Sequence, residues 1–156
     1  MERMGRYLSI LVLVLGAIAF IIGAAFIYQG IAKQDLIRTQ MQVEKVTYLL
    51  PEEEIQKGNV IDTAEEAQMV ANTVKEHRHQ IAPTYDDLLQ GGRYDPTNPK
   101  HLTYSQAINL ENYLYLGALA FGLSTVVLAS GAFMIVTGIA LGGIGVVLLR
   151  LTAKKA

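Results

Sequence analysis

The sequence has no cysteine, no tryptophan and only four prolines in 156 residues. Without cysteine there is no disulfide framework, no thiol nucleophile and no thiolate metal site, so any domain outside a membrane is held by packing alone. The prolines fall between positions 51 and 99, which leaves both ends of the chain free to form unbroken helices. Charge is absent where it says most: residues 7–28 and 113–149 contain no Asp, Glu, Lys, Arg or His. Ion pathways, proton relays and intramembrane ligand sites are built from those residue types, so transporter, pump and membrane-haem chemistry lose their basis. A phosphate-binding loop, a nucleophile elbow and a basic patch are also missing, so nucleotide chemistry, serine-hydrolase chemistry and a nucleic-acid partner are not expected.

What is present is apolar residue, 51% of the chain, gathered at its two ends. This composition implies an integral membrane protein partnered by the lipid bilayer. The first run, YLSILVLVLGAIAFIIGAAFIY over 7–28, matches one span of about 20 residues with a tyrosine at each interface. A cleaved signal peptide is the competing reading, but its apolar core is normally about 7–15 residues, so a retained anchor is expected. Arg3 and Arg6 precede this run, and Arg150, Lys154 and Lys155 follow the last one. Positive-inside bias then places both termini in the cytoplasm of a cell whose inner membrane holds the protein. That requires an even number of crossings, so the 37-residue run 113–149 should cross once. Residues 29–112 carry eight Lys/Arg against thirteen Asp/Glu and become an acidic extracytoplasmic domain and stalk. The expected order is a cytoplasmic N-terminus (1–6), a first span (7–28), the domain (29–112), a long apolar helix (113–149) and a basic cytoplasmic tail (150–156).

Between the runs, QGIAKQDLIRTQMQ can continue the first helix for two or three turns. Val43, Val46, Tyr48 and Leu50 then favour a short extended segment, ended by Pro51 and the solvated Glu52–Glu54 turn. DTAEEAQMVANTVKEHRHQI predicts a helix capped by Asp62 or Thr63, with Glu66 completing a capping box, Ala67, Val70, Ala71 and Val74 on one face, and Pro83 closing it. Thr84 begins a second capped segment, TYDDLLQGG, with Asp87 three residues on and Gly91-Gly92 as its stop. GGRYDPTNPKHL reads as a loop, and TYSQ from Thr103 as the capping box of a last helix about 70 Å long.

Small residues recur every seven positions in both apolar runs: Ser9, Gly16, Gly23 and Gly30 in the first, Gly117, Ser124, Gly131, Gly138 and Gly145 in the second. Such stripes let helix backbones approach closely. Antiparallel pairing sets Ser9 against Gly145, Gly16 against Gly138, Gly23 against Gly131 and Gly30 against Ser124. It also brings Arg6 level with Arg150, which the charge bias requires independently. In that register only about 126–147 crosses the lipid, and the preceding turns stand outside as a stalk. Leu110, Tyr113, Leu114, Leu116, Leu119, Phe121 and Leu123 occupy most of its circumference, more than one neighbouring helix can cover, and are the expected partner interface. GIALG at Gly138 to Gly142 adds a GxxxG match, a second face for oligomer contacts.

Three histidines lie outside the apolar runs. His77 and His79 are two apart, on different sides of a helix, and His101 sits in a loop, so solvated surface residues are expected rather than a metal site. Asp86 and Asp87 fit compensation of a helix N-terminus better than an acid–base pair. The layout of one N-terminal span, a short extended segment, the DTAEEAQMVANTVKEH helix, a TYDDL segment and a long Gly-rich terminal helix resembles a family of small bacterial membrane proteins often labelled aromatic ring-opening dioxygenases. The resemblance implies a two-span membrane protein of unassigned function. The label itself would need two histidines and a carboxylate converging on iron, and these residues offer no place for them. The expected fold class is therefore a mainly α membrane protein, with two antiparallel transmembrane helices, the second projecting outside, and a small, mostly helical extracytoplasmic domain. The expected function is a non-enzymatic assembly or accessory protein without a cofactor, forming homo-oligomers or part of a larger membrane complex. The alternative is an extracytoplasmic sensor that binds a small ligand or cation, which needs a closed, polar-lined pocket within residues 44–103.

Overall fold

The computed structural model describes residues 2–44 and 60–153, which form four helices and, among the described residues, no strand: α1 (Glu2–Glu44), α2 (Ala64–Ile81), α3 (Tyr85–Leu89) and α4 (Pro99–Ala153). Both α1 and α4 are long and apolar enough to cross a membrane, and only 11% of the most apolar stretch of each is buried by the chain itself. A core helix of a soluble domain would have that surface covered by protein.

Local chemistry explains where the elements begin and end. Thr63 caps α2: its hydroxyl accepts from the Glu66 N–H at 3.2 Å, and the Glu66 carboxylate accepts from the Asp62 N–H at 3.0 Å. Ala82, held extended ahead of Pro83, closes that helix. Thr84 caps α3 by the same device, with the Asp87 N–H donating to its hydroxyl at 3.1 Å and that hydroxyl donating to the Asp87 carboxylate at 2.7 Å. The left-handed turn that ends α3 begins one residue earlier than the glycine pair implies, at Gln90 (φ 49°), and Gly91 follows at φ 78°.

Two expectations are corrected. Val43 belongs to α1, not to an extended segment; positions 46, 48 and 50–54 of that reading lie outside the described residues. Helix α4 begins at Pro99, four residues ahead of the Thr103 capping box. Asn98 supplies the start: its side chain accepts from the Lys100 N–H at 3.0 Å and its carbonyl from the Leu102 N–H at 3.0 Å. Proline suits the first helical position, where its missing N–H would have no intrahelical partner. With 55 residues, α4 is about 80 Å long.

The chain divides into two compact units, Met1–Lys33 with Ser124–Ala156, and Gln34–Leu123. The first consists of helix against helix. In the second, Ala67, Val70, Ala71 and Val74 of α2 meet Met41 of α1, Leu114 of α4 and Ile61 in one buried cluster, and Ala82, Leu88 and Tyr104 form a smaller one.

Candidate functional site

In the first unit the glycines of α1 and α4 touch through their backbones. A Cβ built on Gly23 would stand 2.7 Å from the Gly131 carbonyl oxygen, and one on Gly131 would stand 2.8 Å from that of Gly23. Gly16 and Gly138 repeat the arrangement at 2.9 and 2.7 Å. Each glycine therefore aims a Cα hydrogen at the opposite carbonyl, a weak bond that recurs where helices pack this closely. The added carbons also reach one turn farther along the neighbouring helix: Gly16 toward Gly142, Gly23 toward Ile135, Gly30 toward Leu128 and Gly145 toward Leu13. The cause is geometric. A Cα–Cβ bond leans toward the N-terminus of its own helix, and the contacts that climb α1 descend α4, so each added carbon reaches a turn farther along its neighbour. Ser9 and Ser124 are both buried, and the Ser9 hydroxyl donates to the Gly5 carbonyl at 2.8 Å. A Cβ on Gly142, the second glycine of the GxxxG match, would meet nothing within 4 Å, although its backbone nitrogen stands 2.7 Å from the Cβ position of Gly16.

In the second unit α4 presents two faces of opposite character. Tyr104, Ala107, Glu111, Leu114, Ala118 and Phe121 face their own chain, and a Cβ on Gly117 would run into the Met41 methyl group. Leu114 and Phe121 were expected in the partner interface and are instead 0% and 3% exposed, because α4 meets its own chain on that side. Leu110 is half-buried against the core. Tyr113 is 37% exposed, and Leu116, Leu119 and Leu123 stand out at 64%, 67% and 63%. The neighbouring Tyr115 hydroxyl is hydrogen-bonded to Asn72 of α2 at 2.7 Å.

The buried face carries a polar lock that sequence reasoning missed. Arg78 of α2 donates from Nε to Glu111 at 2.8 Å and from a terminal nitrogen to the Tyr104 hydroxyl at 2.5 Å. All three residues are buried, and the guanidinium carbon lies 4.9 Å from the Tyr104 ring centre. Hydrogen bonding to Glu111, more than the attraction of its charge, holds the Arg78 pKa above its ordinary value against the opposing effect of burial. No buried side-chain nitrogen or oxygen among the described residues lacks a partner. The signal was spacing: Arg78 follows Val70 and Val74 at four-residue intervals, so it had to share their buried face.

His77 and His79 are exposed. His101 lies in the first turn of α4 and not in the loop expected for it; it accepts the Asp95 N–H at Nδ1 (3.0 Å) and stacks on Tyr94 with ring centres 5.7 Å apart, tying the preceding loop to the helix. Hydrogen bonds from the Thr97 hydroxyl, first, and the Thr97 N–H lower the Asp95 pKa. Among the described residues no three histidines or carboxylates converge as a metal site. One open groove of about 290 Å³ runs beside the lock, lined by His77, Arg78, Thr103, Gln106 and apolar neighbours. Another, of about 510 Å³, lies by Pro83, Asp86, Asp87 and Gln90. No protein-family model, no curated protein and no solved structure matches the chain.

Proposed function

We propose that the chain is a non-enzymatic assembly or accessory protein of a bacterial inner membrane. Two antiparallel spans, both termini cytoplasmic, carry a central extracytoplasmic domain, and the exposed side of α4 binds other copies or a larger complex. One observation carries this reading: Leu116, Leu119 and Leu123 remain nearly two-thirds exposed on a helix whose opposite face is fully engaged by its own chain. Contiguous apolar surface of this kind marks an interaction site. The membrane placement rests on two apolar helices that their own chain leaves uncovered. No observation favours the small-ligand reading, since both grooves are open and the Arg78 charge beside one of them is already met by Glu111. Extraction in mild detergent followed by native mass measurement tests the proposal. The expected species is larger than one chain; a bare monomer under all mild conditions would sink it.

A further inference from the structure

The partner of this face can be specified further, on the reading just proposed. The exposed side of α4 in the second unit has a regular centre. Leu102, Asn109, Asn112, Leu116, Leu119 and Leu123 follow alternating three- and four-residue steps with one interval doubled across the half-buried Ser105, and the exposed Thr103, Gln106, Tyr113 and Gly122 flank them. A repeat of 3.5 residues is the pattern of a helix that supercoils around another helix, and its a and d positions fall on this side. The residues packed against their own chain, Tyr104, Ala107, Glu111, Leu114, Ala118 and Phe121, take the c and f positions on the other side. Helix α4 is therefore bifacial, with one seam filled and one open.

We infer that the open seam is filled by the same seam of a second copy, forming a parallel, in-register, two-stranded coiled coil. Three features choose this occupant. No residue of the seam from Leu102 to Leu123 is charged, so two identical seams meet without the like-charge repulsion that opposes self-pairing. Copies inserted in one membrane with a common orientation run parallel, which sets each leucine against its own counterpart. Asn109 and Asn112 then face Asn109 and Asn112, an arrangement that costs stability but fixes register. Sharing one membrane also raises the effective concentration, so a short seam suffices.

The test uses the full-length chain in mild detergent and in liposomes. Because there is no native cysteine, Leu119→Cys provides a single probe, and Met69→Cys on α2, 43% exposed and away from the seam, is its control. Oxidation should yield covalent dimer from L119C at least tenfold faster than from M69C. Adding Leu116→Asp and Leu123→Asp should bring that rate down to the control while circular dichroism shows unchanged helix content. Equal rates for L119C and M69C overturn the inference. If L119C in native membranes instead crosslinks to a different protein, the second copy is overturned and the assembly function stands. If L119C crosslinks to nothing and the extracted protein is a monomer, both fail.

Discussion

Gly23 and Gly131 oppose each other backbone to backbone, each leaving too little space for even a methyl group on the other. Alanine at either position must push against main chain: besides the Cγ1 of Ile135 or Ile27, the blocking atoms are the opposite glycine's carbonyl oxygen and an amide nitrogen one turn on, which cannot swing away as a side chain can. Gly23→Ala and Gly131→Ala should each destabilise the helix pair by about 1–3 kcal/mol. Gly142→Ala and Gly143→Ala, which meet nothing within 4 Å, should be neutral or slightly stabilising through helix propensity. Thermal unfolding of the four variants in detergent separates the two groups, and equal loss in all four would reject backbone contact as the cause.

The close approach also selects the disulfide that tests the pairing. Cysteines at 23 and 131 would press on carbonyl oxygens at 2.7 and 2.8 Å, whereas the Cβ position of Gly145 lies 3.0 Å from the Leu13 Cβ and main-chain nitrogen, so a local shift of about 0.5 Å brings that pair to the roughly 3.5 Å lower end of disulfide geometry. Leu13→Cys with Gly145→Cys should therefore close within one chain on mild oxidation, seen as a mobility shift that reductant reverses. Failure to close would reject the register.

Much of this arrangement was legible in the sequence, for a physical reason: glycine at heptad spacing has few uses in a helix other than letting another backbone approach. The α2 cap was equally legible, because Thr63 and Glu66 act on backbone groups three and four residues away. The start of α4 was misread because Thr103 and Gln106 form a plausible box inside a helix that Asn98 and Pro99 had already begun. Arg78 was missed because only the apolar members of the α2 face were followed, although its spacing from Val74 required burial. The division of the stalk residues into covered and free could not be read from composition, since Leu114 and Leu116 are chemically identical and differ only in which side of α4 meets α2.

For the polar lock, the magnitude depends on which partner is removed. Glu111→Ala leaves a buried guanidinium without its carboxylate and should cost about 3–5 kcal/mol, whereas Arg78→Met combined with Glu111→Leu should be close to neutral. Tyr104→Phe, which removes one hydrogen bond, should cost about 1 kcal/mol. Urea unfolding followed by near-ultraviolet circular dichroism distinguishes them. A double variant as damaged as Glu111→Ala would show that packing, not the unpaired charge, is at stake.

The loop ahead of α4 should respond to acid. The Asp95 pKa lies below its ordinary value of 3.8, through its bonds to Thr97 first and the nearby His101 after them. A lowered folded value means that the carboxylate's contribution is complete above 3.8 and is lost as pH falls through the lower folded value. The Thr97 amide resonance should therefore shift with a midpoint below 3.8, and Asp95→Asn should abolish that titration.

The contacts at Gly16 and Gly23 carry a consequence for permeation. Where a single carbon atom does not fit between two backbones, neither does a water molecule or a lipid chain, so the α1–α4 seam is dry and sealed at these two levels. A hydrophilic path through this protein could not run between the two long helices of one chain; it would have to be enclosed by the outer surfaces of several chains, and those surfaces offer hydrocarbon.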